Sequence, residues 1–239
     1  MEFKNTEGQT YEPANLNHLY SRLDECRGTL DHIARGILFG LLESNKLEIV
    51  ITRHFIAKSI MLVRSIYALW LNGAYQECHM LYRALLDRLF YLDHLHRTNS
   101  FIEYDNWSFV KQYDLSARWR NDSRYQNQVT TGIEPTQEDR ERRKNLRKNP
   151  PNWTIPSAEE IARSMGRDYL YYYGYDHGSM HVHPLANDGI QDFETLTKLR
   201  SGFEFPAQTQ VLRNSILVLW LIISDILNYI TVDHRKVLT

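Results

Sequence analysis

Five tyrosines and three histidines fall within the sixteen residues Tyr169-Leu-Tyr-Tyr-Tyr-Gly-Tyr-Asp-His-Gly-Ser-Met-His-Val-His-Pro184. Imidazole exchanges a proton near neutral pH, and phenol both donates and accepts hydrogen bonds. That mixture suits proton transfer at a polar centre or the recognition of an anion. At helical spacing Tyr175, Ser179 and His183 share one face at four-residue steps, with His183 as the candidate acid or base, Ser179 its partner and Tyr175 a donor. His177 and His181 are likewise four apart, and with His183 they form an alternative set of metal ligands. The set lacks the glutamate of His-Glu-x-x-His, and Gly174 and Gly178 weaken the helix it requires. No metal or other cofactor is therefore expected.

A second group of polar residues sits on an apolar background in the segment from Ala74 to Leu95: His79, Arg83, Asp87 and Asp93. Arg83 and Asp87 are spaced i, i+4 and share a face. Leu81, Tyr82, Leu85 and Leu86 flank them, so the guanidinium borders a core-facing stripe, where it needs hydrogen-bond partners. Arg83 is the cation that a phosphate-handling site requires, with Asp87 supporting it, if this helix packs against the Tyr/His segment. No serine-hydrolase elbow, Walker loop or dinucleotide-binding glycine pattern occurs.

The elements that must position these groups are helices. Apolar residues recur at i, i+3, i+4 spacing over Asn15 to Leu42, Asn45 to Leu71 and Ala74 to Leu95, and a fourth helix with more aromatics runs from Ser100 to about Arg120. Asn45 with Glu48 reads as a capping box, and Asn72-Gly73 as the stop of the second helix. Short connections imply antiparallel neighbours. After Asn121 the chain turns polar and holds four of the seven prolines before Ser157. A short helix is expected between Pro135 and Pro150, and Ser157 caps another through Met165. An irregular stretch from Pro184 to Pro206 precedes a last helix from about Ala207 to Thr231. No strand alternation is visible. The expected fold is all-α, a bundle of long antiparallel helices forming one domain over 1–239. Residues 1–120 supply the first helices, 121–156 a polar insert, and 157–239 the motif segment and the C-terminal core helix.

The chain has 239 residues and a formal net charge of −1, so it carries no global bias toward nucleic acid or membrane. Local patches are another matter. Arg140, Arg142, Arg143, Lys144 and Arg147 lie in one charged run and are the candidates for contact with RNA phosphates, beside Arg118, Trp119, Arg120 and Arg124. A solvated helix face is the other reading of that run. Cys26 and Cys78 form no ligand spacing and fit a reduced, cytoplasmic protein. The first residues lack a signal-peptide profile, and the apolar run Ile216 to Ser224 is too short to span a bilayer, so it reads as a buried core helix.

Tyr82-Arg-Ala-Leu-Leu-Asp87 resembles the Arg-x-x-x-Glu helix of a widespread bacterial all-helical family of unknown function. Tyr175 with Ser179-Met-His-Val-His-Pro184 is similar to that family's Tyr-x-x-x-Ser-x-x-Val-His-Pro signature, and the resemblance covers about residues 15 to 230. Asp87 stands where the family usually has Glu. Such proteins look similar in turn to the HEPN superfamily, helical bundles of bacterial toxin and antiviral systems. Many of those are metal-independent ribonucleases that use an arginine, four to six intervening residues and a histidine across a dimer. Counting back from His183, no arginine falls in that window, and His177 occupies the arginine's place with five residues between. The resemblance implies a cytoplasmic homodimer that binds or cleaves RNA, with His183, His177, Arg83, Ser179 and Tyr175 as catalytic residues and a cognate antitoxin or sensor protein as partner. A catalytically inert interaction module, whose Arg/Asp and Ser/His motifs form a buried network, is the rival expectation.

Overall fold

A computed structural model of the chain describes residues 3–4, 10–11, 13–124, 134–183, 190, 193–194, 197 and 205–237. Residues 125–133 of the polar insert and most of the stretch from Pro184 to Pro206 lie outside them. The fold is all-α. The long helices are α1 (Pro13–Gly40), α2 (Leu47–Leu71), α3 (Tyr75–Thr98), α4 (Phe101–Asn121) and α5 (Gln137–Lys148). They are followed by α6 (Ala158–Ser164), α7 (Asp168–Leu170), a π-helical turn Tyr171–Asp176, α8 (His177–Met180) and α9 (Phe205–Val237). Near the N-terminus Phe3–Lys4 (β1) pairs antiparallel with Thr10–Tyr11 (β2), a two-residue contact that sequence alternation could not announce.

The chain divides into two compact units, residues 1–94 with 157–239, and residues 95–156, so α3 runs through the division. In the first unit α1, α2 and α9 pack on one another. α2 buries a broad face that includes Phe55, Ile56, Val63 and Ile66, and α9 buries Leu212, Val218, Leu219, Ile222 and Ile226. Two buried serines are satisfied locally: the Ser59 hydroxyl donates to the Phe55 carbonyl at 2.8 Å and Ser215 to Leu212 at 2.8 Å. Arg64 of α2 grips Asp31 of α1 with two hydrogen bonds of 2.8 Å. This contact, more than the other charges around it, holds the Asp31 carboxyl below its ordinary value.

The helix ends follow local chemistry, with one shift. α2 begins at Leu47 with Lys46 at the cap and no side-chain cap bond, so Asn45 lies outside the position expected of it. Its other end behaves as the glycine implies. Gly73 takes φ 78°, and the Ala74 amide donates back to the Leu69 carbonyl at 3.0 Å. Ser157 caps α6 by accepting from the Glu160 amide.

In the second unit Thr136 and Asp139 form a reciprocal capping box at the start of α5. Two arginines of the basic run tie α5 to α4. Arg142 bonds Asp105 and Asn106 and lies 4.3 Å from the Phe109 ring centre, and Arg143 pairs with Asp114 at 3.0 Å.

The apolar stretch of α9 is longer than residues 216–224 alone suggested. Thr209–Ile230 is long and apolar enough to cross a membrane, at mean hydropathy 1.5, and half of that window is buried inside the protein. Trp220 stays 50% exposed while Ile222, two residues on, is fully buried. Ile222→Ala should lower unfolding stability by about 2–5 kcal/mol through loss of contact and the cavity left behind. Trp220→Ala, which removes a side chain already half in water, should cost less. Urea unfolding of both variants, followed by circular dichroism, checks this, and equal losses would mean that α9 is seated differently.

Candidate functional site

Two elements of the first unit build the site: α3, and the composite helix over residues 168–180. The composite helix approaches α3 unusually closely because two of its residues are glycines. A Cβ at Gly174 would lie 2.7 Å from Leu86 Cδ1 and 2.9 Å from the Tyr82 ring, and one at Gly178 would lie 2.8 Å from Arg83 Cβ and 2.9 Å from the His79 carbonyl oxygen. By propensity Gly174 and Gly178 should weaken this helix. Instead they are the positions at which it touches α3, and the helix accommodates the turn Tyr171–Asp176 by widening to π geometry. Such turns are rare and recur at functional sites.

Across this seam the Arg83 guanidinium is held on several sides. Its Nε donates to the Ser179 hydroxyl at 2.8 Å and its Nη2 to the Tyr175 phenol at 2.9 Å, and Nη1 lies 3.6 Å from Asp87 Oδ2. Its carbon also sits 4.5 Å from the Tyr175 ring centre. The Ser179 hydroxyl, accepting from Arg83, donates its own proton to the Tyr175 carbonyl at 2.8 Å. The Tyr175 phenol hydrogen-bonds Asp87 as well. Burial raises the Asp87 carboxyl above its ordinary value, although Arg83 and Tyr175 both pull it down. The Tyr175 phenol is raised by burial first and by the Asp87 charge second. Tyr175 lies 6.0 Å from the fully buried Phe90 on one side, and on the other an aromatic ladder leads outward, with Tyr171 stacked at 5.7 Å and Tyr172 meeting Tyr171 edge-on at 5.3 Å.

One turn before Arg83, His79 meets the other two imidazoles that the motif helix supplies. Its ring centre lies 4.8 Å from that of His177 and 5.4 Å from that of His181, which are 5.1 Å from each other. His79 is pushed down to about 4, by burial first and then by its two neighbours. His177 keeps much of its surface open, yet its pKa is also lowered, by shielding and then by His181, with Asp176 acting in the opposite sense. At pH 7 His79 is therefore neutral, and His177 is biased toward its neutral form.

Tyr175, Ser179, Arg83 and Asp87 thus come together, and the i, i+4 reading of Arg83 with Asp87, of Tyr175 with Ser179 and of His177 with His181 is realised in contacts. His183 follows the end of the motif helix. Its amide donates to the Ser179 carbonyl at 3.2 Å and its residue surface is exposed. Among the described residues the partners of the Arg83 side chain are Ser179, Tyr175 and Asp87, and neither His177 nor His183 is one of them. The third imidazole at His177 and His181 is His79 rather than His183, and among the described residues no three His, Cys, Asp or Glu side chains stand so as to hold a metal ion. His79 is the contributor that the motif segment could not reveal. Its signal was present in α3, where it precedes Arg83 by the same four residues that separate Arg83 from Asp87. In the second unit Arg142 and Arg143 are engaged with acids of α4, whereas Arg140, Lys144 and Arg147 are exposed.

The family model described as a family of unknown function (DUF5677) matches residues 49–196. The chain belongs to the DUF5677 family. The matched DUF5677 stretch contains both elements of the site, α3 and the composite helix, while α1 and the whole of α9 lie outside it. No curated protein and no solved structure matches the chain.

The glycine seam makes a direct prediction. Gly178→Ala should force α8 away from α3 and destabilise the protein by about 1–3 kcal/mol, as overpacking does. Gly36→Ala, at an α1 position where an added methyl group would meet nothing within 4 Å, should instead stabilise by about 0.5–1 kcal/mol. Thermal melts of the two variants check both signs.

Proposed function

We propose that this DUF5677 protein binds and cleaves RNA without a metal, as a cytoplasmic homodimer acting in a toxin or antiviral defence setting. The observation that carries the reading is the arrangement of imidazoles around a rigid brace. Arg83, Tyr175, Ser179 and Asp87 lock the motif helix to α3, His177 beside them is biased toward its neutral form and partly open, and His183 is exposed at the helix end. Cleavage of RNA by its own 2′-hydroxyl needs one group to accept that proton and another to protonate the departing 5′-oxygen. His177 is suited to the first role because it is biased toward its unprotonated form at neutral pH, and His183 supplies the second. The products are a 2′,3′-cyclic phosphate and a free 5′-hydroxyl, which balances the step.

Arg83 has a different part in this reading from the one its charge suggests. With its donors directed at Ser179, Tyr175 and Asp87, it positions the motif rather than gripping phosphate. Exposed rings on the same helix offer surfaces on which bases can stack, Tyr173 at 81% exposure foremost. Arg140, Lys144 and Arg147 remain the exposed cations of the basic run. The engagement of Arg83 with Ser179, Tyr175 and Asp87 also favours a second reading, an inert interaction module in which this network is purely structural.

His183→Ala separates the two. A nuclease should lose cleavage of single-stranded RNA by roughly 10²–10⁴-fold with its melting temperature nearly unchanged. If the protein is an inert module, this exposed side chain can be removed at a cost of about 0.5 kcal/mol or less, and wild type and variant alike leave RNA intact. For the dimer, Phe39, Met61, Trp220 and Leu227 are exposed apolar side chains suited to subunit contact. Light scattering at micromolar concentration should give twice the chain mass, and a monomer would count against a site shared between subunits.

A further inference from the structure

The three-imidazole cluster of His79, His177 and His181 lies beside the Gly178 contact of the seam, and the proposed chemistry does not account for His79. That ring is part of α3, and the other two are part of the composite helix directly across from it, where Gly178 rests against the His79 carbonyl and Arg83 Cβ. Uncharged imidazoles pack as ordinary aromatic rings. Charged ones 4.8 to 5.4 Å apart repel one another, and they do so across the seam, with one on α3 and two on α8 and its following turn. The charged groups facing the cluster are few. Asp176 on the composite helix favours a proton on His177, and Arg83, the next turn of α3, is occupied by Ser179, Tyr175 and Asp87.

We propose that His79 and His177, packed together with the His181 ring, form a proton-operated latch: neutral, they let the motif helix close onto α3, and protonated, they push it off and uncover the Arg83 guanidinium. The inference stands independently of the RNA reading. Opening breaks the Arg83 bonds to Ser179 and Tyr175 together, because all of them cross the same seam. A half-buried, engaged cation thereby becomes an exposed one.

The direction follows from linkage. A histidine whose pKa in the closed state lies below its ordinary 6.5 takes its proton more readily in the open state. The closed form is therefore fully stable above pH 6.5 and loses stability as the pH falls toward about 4 for His79. Asp87, whose carboxyl is raised, works in the opposite sense, since its protonation favours the closed form. With the two values for His79, opening should grow roughly 30-fold between pH 7.5 and pH 5.

Hydrogen–deuterium exchange of the full chain at pH 7.5 and pH 5.0, corrected for the intrinsic exchange rate, tests this. Amides of residues 171–183 should gain protection at the higher pH by about that roughly 30-fold factor, while those of α2 should not change. His79→Phe keeps a ring and cannot take a proton, so the pH response of 171–183 should largely disappear. No response in the wild-type protein, or an undiminished one in His79→Phe, overturns the latch. Should the variant fail to fold, an imidazole titration of the wild-type protein by nuclear magnetic resonance decides: His79 must titrate well below 6.5, and an ordinary value overturns the proposal. A zinc-dependent rise in melting temperature that requires His79 would also overturn it, because the cluster would then be a metal site.

Discussion

Everything the site does depends on how closely two helix backbones can approach. Helices with ordinary side chains at their contact keep their axes about 8–10 Å apart. At Gly174 and Gly178 there is no side chain, and a Cβ added at either would overlap atoms of α3. That absence lets Ser179 and Tyr175 reach the guanidinium within 2.8 and 2.9 Å. The π-helical turn belongs to the same constraint. By widening one turn it sets the direction of Tyr175 relative to Ser179, so that phenol and hydroxyl meet the same arginine.

The physics of a half-buried arginine explains the composition of the network. A guanidinium that gives up water requires acceptors in the directions its planar donors point, and Ser179, Tyr175 and Asp87 fill those directions. Each partner is in turn held: Ser179 by its bond to the Tyr175 carbonyl, and Tyr175 by its contact with Phe90 and its stack on Tyr171. The cost of burying charge is thereby shared between Arg83 and Asp87, which lie only 3.6 Å apart. While the seam is shut, these partners hold the guanidinium in place on α3 and the motif helix. This is why the exposed imidazoles, rather than the arginine, carry the proposed chemistry.

The family match encloses the site and stops short of the helices that finish the core. Residues 49–196 contain nearly all of α2, together with α3 and the composite helix, and α1 and α9 pack on α2 from outside that stretch. The second unit applies the same ion-pair logic for a different end, since Arg142 and Arg143 fasten α5 to α4.

Helical periodicity was sufficient to determine the class and the extent of the long helices, because a 3.6-residue stripe of leucine and isoleucine has one way to bury itself. Gly73 and Ser157 likewise ended and began helices where their chemistry requires. The same-face pairs Arg83–Asp87, Tyr175–Ser179 and His177–His181 were legible because four-residue spacing is a local property. What sequence alone left undecided was everything that crosses the seam. Nothing in the order of residues states that Gly178 faces the His79 carbonyl, that His79 is the third imidazole, or that Arg83 meets Tyr175 and Ser179 across more than ninety residues. The capping role read for Asn45 failed for a related reason: cap residues compete locally, and the packing of α2 placed its first turn at Leu47. Local spacing fixes which side chains share a face. Only the tertiary structure decides which two faces meet, because that choice is made by the summed burial of both helices and by the one place where their backbones can touch.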